Sequence, residues 1–120
     1  MLQSVLTALG NLRSPFALYE KDLHAGVAGC LEAAGLAYRH EASLGKGCRL
    51  DFLVGTVGIE VKKTKVSPSV LREQLTRYAH CPEVQALVVV TQYSVTLPRT
   101  IEGKPVKVVS ISQNWGVALP

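Results

Sequence analysis

The residues Gln85 to Thr91 (QALVVVT) form a continuous run dominated by β-branched side chains, the pattern of a strand buried on both faces. Two shorter runs, 49–54 and 57–63, flank Gly55-Thr56. Glycine at the first of two central positions suits a type II′ turn, so these runs read as a hairpin. Weaker strands are expected at 37–43 and 106–112, the latter after a loop around Pro98 and Gly103. Helical spacing appears in three places. Leu2, Val5, Leu6 and Leu9, followed by Gly10, predict a short helix within 1–12. Ser14-Pro15 starts a second helix that runs to about Ala34 and stops at Gly35. Phe16, Leu23, Val27, Cys30, Leu31 and Ala34 form its apolar stripe. Ser67-Pro68 starts a third helix that reaches about His80, ahead of Pro82. The order α, α, β, β, β, α, β, β predicts an α/β domain with a mixed sheet of four to five strands flanked by helices. The N-terminal segment 1–13 and a core of about 14–112 make up that one domain.

Composition changes this picture only at its margins. A chain of 120 residues is enough for one core, and 48% hydrophobic against 18% charged residues is an ordinary globular balance. No apolar run approaches the roughly 18 residues of a membrane span, and no secretory pattern is visible, so a soluble, cytoplasmic protein without a membrane partner is expected. The three cysteines, Cys30, Cys48 and Cys81, contain no CxxC pair. Unpaired thiols are the expected reading, ahead of a disulfide framework or a zinc site at His80-Cys81. The charge is concentrated. Between Lys46 and Arg77 seven basic residues face three acidic ones, a net +4 that equals the formal charge of the whole chain. Such a local field favours a polyanion.

Against that field, the hairpin RLDFLVGTVGIEVKK (49–63) holds two carboxylates. A two-residue turn pairs Val54 with Val57, Leu53 with Gly58, Phe52 with Ile59 and Asp51 with Glu60. The acids are then expected directly opposed on one face, with Lys62 on the same face two residues on. Opposed carboxylates repel, and a divalent cation between them reverses the sign; oxygen ligands favour Mg²⁺ or Mn²⁺ over zinc. Two further polar groups sit on apolar helix faces. Glu20 falls within roughly 20° of Val27 at 100° per residue. Gln74 lies among Val70, Leu71, Leu75 and Tyr78, while Arg72, Glu73 and Thr76 point away.

Asp51-x8-Glu60-Val61-Lys62 resembles the catalytic core of the PD-(D/E)xK nuclease superfamily, with its restriction-endonuclease-like αβββαβ fold. Glu20 resembles the acidic residue that many members carry on the first core helix. Gln74-x3-Tyr78 resembles the QxxxY motif of RecB-like members. The match spans about Phe16 to Thr91, and it departs at Leu50, where the proline of the family name is absent. The resemblance implies Asp51, Glu60 and the Val61 backbone carbonyl as ligands of Mg²⁺ or Mn²⁺, with Glu20 touching the metal directly or through water. It implies that Lys62 acts on the attacking water or on the phosphate, as base or as cation. Gln74 and Tyr78 would hold the substrate backbone and brace the site.

Arg49, Lys63, Lys65, Arg72, Arg77 and Tyr78 are the candidate nucleic-acid contacts, and Lys46 could lie on a loop near the scissile strand. The implied function is a small Mg²⁺-dependent deoxyribonuclease, a structure-specific endonuclease of Holliday-junction-resolvase or phage-processing type. DNA is the implied partner, with roles in recombination or repair. A homodimer would follow for a resolvase, with the N-terminal segment and the strand around Trp115 as candidate interfaces, although Trp115 reads first as a core or cap residue. The alternative is a catalytically inactive nucleic-acid-binding module on the same fold.

Overall fold

In the computed structural model, which describes residues 1–12, 20–45 and 47–111, the apolar runs assemble into one six-stranded mixed sheet flanked by helices. The expected helix start at Ser14-Pro15, Phe16, Lys46 and the segment around Trp115 lie outside the described residues, as does the side chain of Glu20. Helix α1 spans Leu2–Leu9 and α2 spans Glu20–Ala33. Gly35 follows α2 at φ 71, the left-handed conformation that ends a helix cheaply only with glycine. Strands β1 (Arg39–Ser43), β2 (Arg49–Val54) and β3 (Val57–Lys62) form an antiparallel meander. Helix α3 (Pro68–Ala79) crosses over to β4 (Ala86–Thr91), which pairs parallel to β3. Ser67 caps α3, its side chain accepting from the Val70 N–H. At the other end of α3, Lys104 Nζ donates to the carbonyls of Ala79 (2.6 Å) and Cys81 (3.3 Å).

The carboxyl-terminal part departs from expectation. The loop around Gly103 is a tight turn, with Glu102 and Gly103 both at positive φ (54 and 75), joining β5 (Thr100–Ile101) to β6 (Lys104–Ser110). Two such residues make a two-residue hairpin connection, so the sheet gains a strand and runs β1-β2-β3-β4-β6-β5.

Each face of the sheet carries its own core. Phe52, Val54, Val57, Ile59, Val61, Val88 and Val90 pack under α1 and α2. Leu50, Leu53, Leu87, Val89 and Val106 pack under α3. All six residues of β4 are buried, as its β-branched run requires. Gly58 in β3 is a packing choice. A Cβ there would lie 3.1 Å from Leu50 and 3.3 Å from Leu87.

Two expectations need correction. Val70 is 56% exposed rather than on the inner face of α3, because it sits in the first turn beyond the edge of the core. Cys48 and Cys81, expected as unpaired thiols, are joined in a disulfide across 33 residues of sequence, and Cys30 lies outside that bond. Cys48 precedes β2 and Cys81 follows α3, and both elements close over the same core. Among the described residues, no helix is long and apolar enough to cross a membrane.

Candidate active site

Strand alternation sends Val57, Ile59 and Val61 into the α1/α2 core, which turns Glu60 and Lys62 toward α3. Both lie in the carboxyl half of β3, Glu60 beside Val89 and Lys62 beside Thr91 of β4. Glu60 is 4% exposed. Its Oε2 lies 3.2 Å from Lys62 Nζ and accepts from Gln74 Nε2 (3.2 Å) and from the Tyr78 hydroxyl (3.5 Å). Gln74 Nε2 also donates to the Tyr78 hydroxyl at 2.8 Å. Gln74 and Tyr78 reach the same carboxylate because four residues separate them on one helix face. The remaining oxygen, Oε1, accepts from the Asp51 backbone N–H at 3.4 Å.

Burial raises the Glu60 carboxyl from its ordinary 4.5 to about 7, and the charge of Asp51 adds to that rise. Lys62, through charge and hydrogen bond, and the Asp51 N–H act in the opposite direction. Burial, followed by the charge of Glu60, also raises the Tyr78 hydroxyl above its usual range. A carboxylate in this position gains from any nearby positive charge.

The hairpin register is as expected from Val54–Val57 through Phe52–Ile59, and there the ladder ends. The expected cross-strand pairing of Asp51 with Glu60 does not form. The Asp51 N–H turns to the Glu60 side chain, and Asp51 Oδ2 accepts from the Val61 N–H at 2.7 Å. Leu50 and Leu53 pack on the α3 side, while Phe52 and Val54 pack on the other, so alternation breaks between Leu50 and Phe52. The break coincides with Glu41 of β1, a non-glycine residue at φ 54. The β1–β2 register, with His40 opposite Phe52 and Ala42 opposite Leu50, sets Glu41 against Asp51. Left-handed backbone at a non-glycine residue is strained and concentrates at functional sites.

The structure therefore brings Asp51, Glu60, Val61, Lys62, Gln74 and Tyr78 together. Glu20 opens α2, the helix that also carries His24. Arg49 pairs instead with Glu41 at 3.2 Å on the surface. Lys65, Arg72 and Arg77 are exposed, and Lys63 is half-buried. Sequence reasoning missed the histidines. His24 Nε2 lies 3.7 Å from Asp51 Oδ2, and His24 Nδ1 lies 2.9 Å from His40 Nε2. The available signal was His24 standing one turn after Glu20, on the same side of the helix.

Among the described residues, no group of three or more His, Cys, Asp or Glu could hold a metal ion. Two carboxylates are nevertheless a sufficient protein contribution for Mg²⁺, which keeps several waters and binds substrate phosphate alongside one or two acidic side chains. Asp51 and Glu60 supply hard oxygens, and the strain on ionised Glu60 is one that a divalent cation relieves. On this donor chemistry the residues present fit Mg²⁺ or Mn²⁺. No family model matches the chain, and neither any curated protein nor any solved structure matches it significantly.

Proposed function

We propose that the protein is a metal-dependent nuclease that hydrolyses DNA phosphodiester bonds, with a core of restriction-endonuclease-like type. The observation that carries this reading is the single network joining Asp51, Glu60, Lys62, Gln74 and Tyr78 at the carboxyl end of a parallel strand. Open α/β sheets commonly bind ligands outside that end.

Asp51 and Glu60 would hold Mg²⁺ or Mn²⁺, with the Val61 carbonyl as a third ligand and Glu20 as a further candidate. When bound, the cation supplies Lewis acidity at a phosphate oxygen and lowers the pKa of an attached water. Gln74 and Tyr78 fix the Glu60 carboxylate in one orientation, so that ligand geometry is preset. Lys62 Nζ stands beside the Glu60 carboxylate, where it can orient the attacking water or offset charge developing on the phosphate. Water attacks phosphorus, the bond to the 3′ oxygen breaks, and that oxygen takes up a proton. Exposed Lys65, Arg72 and Arg77 and half-buried Lys63 would contact flanking phosphates. Tyr78, with its hydroxyl turned to Glu60 and Gln74, is assigned to bracing rather than to DNA contact.

A cleavage assay tests the reading on supercoiled, linear, single-stranded and four-way-junction DNA, with Mg²⁺, Mn²⁺ or EDTA. Cutting that requires metal and disappears in Asp51→Ala and Lys62→Ala is expected. Preference for the junction, together with a dimer in solution, would identify resolvase-type action. Absence of cutting on every substrate, with DNA binding intact in both variants, would leave a binding module.

A further inference from the structure

His24, His40 and Phe52 form a connected stack that ends at Asp51. The His40 ring lies on Phe52 with centroids 4.6 Å apart and an interplanar angle of 20°. Phe52 is fully buried, so this platform is fixed by the core. His24 packs against both rings, at 5.2 Å from His40 and 5.5 Å from Phe52. Its side chain is 15% exposed, and its two nitrogens face different partners. Nδ1 meets His40 Nε2, and Nε2 faces Asp51 Oδ2. A carboxylate beyond Nε2 favours the tautomer with its proton there, which makes Nδ1 an acceptor for the His40 Nε2–H. Asp51 Oδ2 is thereby flanked by two groups, the Val61 N–H and the His24 imidazole.

We infer that His24 is a positioning residue for Asp51, held by His40 on Phe52, and that this stack presets the carboxylate for a divalent cation. The inference rests on the metal-dependent reading above and deepens it. Groups that orient a ligating side chain without touching the metal commonly govern affinity by about 10–100-fold. The separation of 3.7 Å between Nε2 and Oδ2 is longer than a hydrogen bond, so the contact guides Asp51 electrostatically.

Mn²⁺ binding, followed by the loss of the free-ion EPR signal, tests this without reference to cleavage. The proteins compared are wild type, Asp51→Ala, His24→Ala, His24→Gln and His40→Phe, with thermal melts in EDTA to check folding. His24→Ala is expected to weaken Mn²⁺ binding by about 10–100-fold. His24→Gln, whose amide Nε2 takes the place of the imidazole Nε2, is expected to recover most of that loss. His40→Phe keeps a ring on Phe52 but removes the partner of His24 Nδ1, and is expected to weaken binding in the same direction. Should His24→Ala fail to fold, the other two variants decide. Unchanged affinity in the His24 and His40 variants, with binding lost in Asp51→Ala, would overturn this inference alone. Imidazole nitrogen coupling to bound Mn²⁺ in pulsed EPR, absent in His24→Ala, would make His24 a ligand and also overturn it. A wild type with no Asp51-dependent Mn²⁺ binding would remove both the inference and the reading beneath it.

Discussion

Glu60 concentrates the energetic tension of this protein in one side chain. Its neighbours satisfy both oxygens, yet burial and Asp51 still raise its carboxyl to about 7 from 4.5. Between those two values the folded state holds a proton that the unfolded chain releases. The stabilisation from that proton is full below about pH 4.5 and is lost as pH rises through about 7. A shift of this size corresponds to a stability difference on the order of 3 kcal/mol. Denaturant unfolding in EDTA at pH 5 and pH 8 should therefore show wild type losing stability at the higher pH relative to Glu60→Gln, which cannot ionise. Mg²⁺ should restore wild-type stability more at pH 8 than at pH 5, since a cation is favoured by the ionised form. Equal pH profiles for the two proteins would mean that Glu60 does not carry this tension. Lys62 alone does not remove it, because one ammonium group at 3.2 Å is set against both desolvation and a second carboxylate.

At the scale of elements, α3 connects stability to the site. Its buried face presents Leu71, Leu75 and Ala79 to the sheet, and Gln74 and Tyr78 to Glu60. Its ends are secured independently, by Ser67 at the start and Lys104 at the finish. Ser67→Ala removes a side-chain acceptor seven residues before Gln74 and is expected to cost about 1 kcal/mol of folding stability. Because Gln74 and Tyr78 stay packed, Mn²⁺ affinity should be unchanged at temperatures where the variant is folded. A calorimetric melt paired with a metal titration checks both parts. The β1–β2 pair has the opposite character. It breaks its own alternation at Glu41 and Asp51, and that irregularity turns Asp51 toward His24 and the Val61 N–H instead of leaving it opposite Glu60.

Across the whole molecule, the Cys48–Cys81 disulfide ties the entry of β2 to the exit of α3 and so spans the elements that carry Asp51, Glu60 and Gln74. For a crosslink across 33 residues, chain entropy gives a stabilisation of roughly 3–4 kcal/mol. Thiol titration under denaturing conditions should count one thiol without reductant and three after reduction. Cys48→Ala should unfold at the same denaturant concentration as the reduced wild type. Three thiols without reductant would show that the pair is open. The charge belongs to this scale as well. In the sequence, the basic excess is concentrated between Lys46 and Arg77, the stretch that also carries Asp51, Glu60 and Gln74.

The sequence by itself determined the elements other than β5, together with limits such as the start of α3 and the end of α2. Ser67-Pro68, Gly35, Gly55-Thr56 and the run at 85–91 act through local backbone preference and hydrophobic period, which need no knowledge of the fold. The same local logic brought Asp51, Glu60, Lys62, Gln74 and Tyr78 into consideration, since strand and helix periods put carboxylates and an amide where apolar residues belong. Tertiary structure alone decided how they meet. The period of two holds only for regular strands, so the left-handed Glu41 redirected Asp51, and His24 reached it from a separate helix, meeting His40 of an edge strand on its other nitrogen. Cys48 and Cys81 carried no spacing that could announce their pairing; packing of β2 and α3 on one core made them neighbours. The turn at Glu102-Gly103 was legible only in part, because a two-residue β5 is too short to carry a period and exists only by pairing with β6.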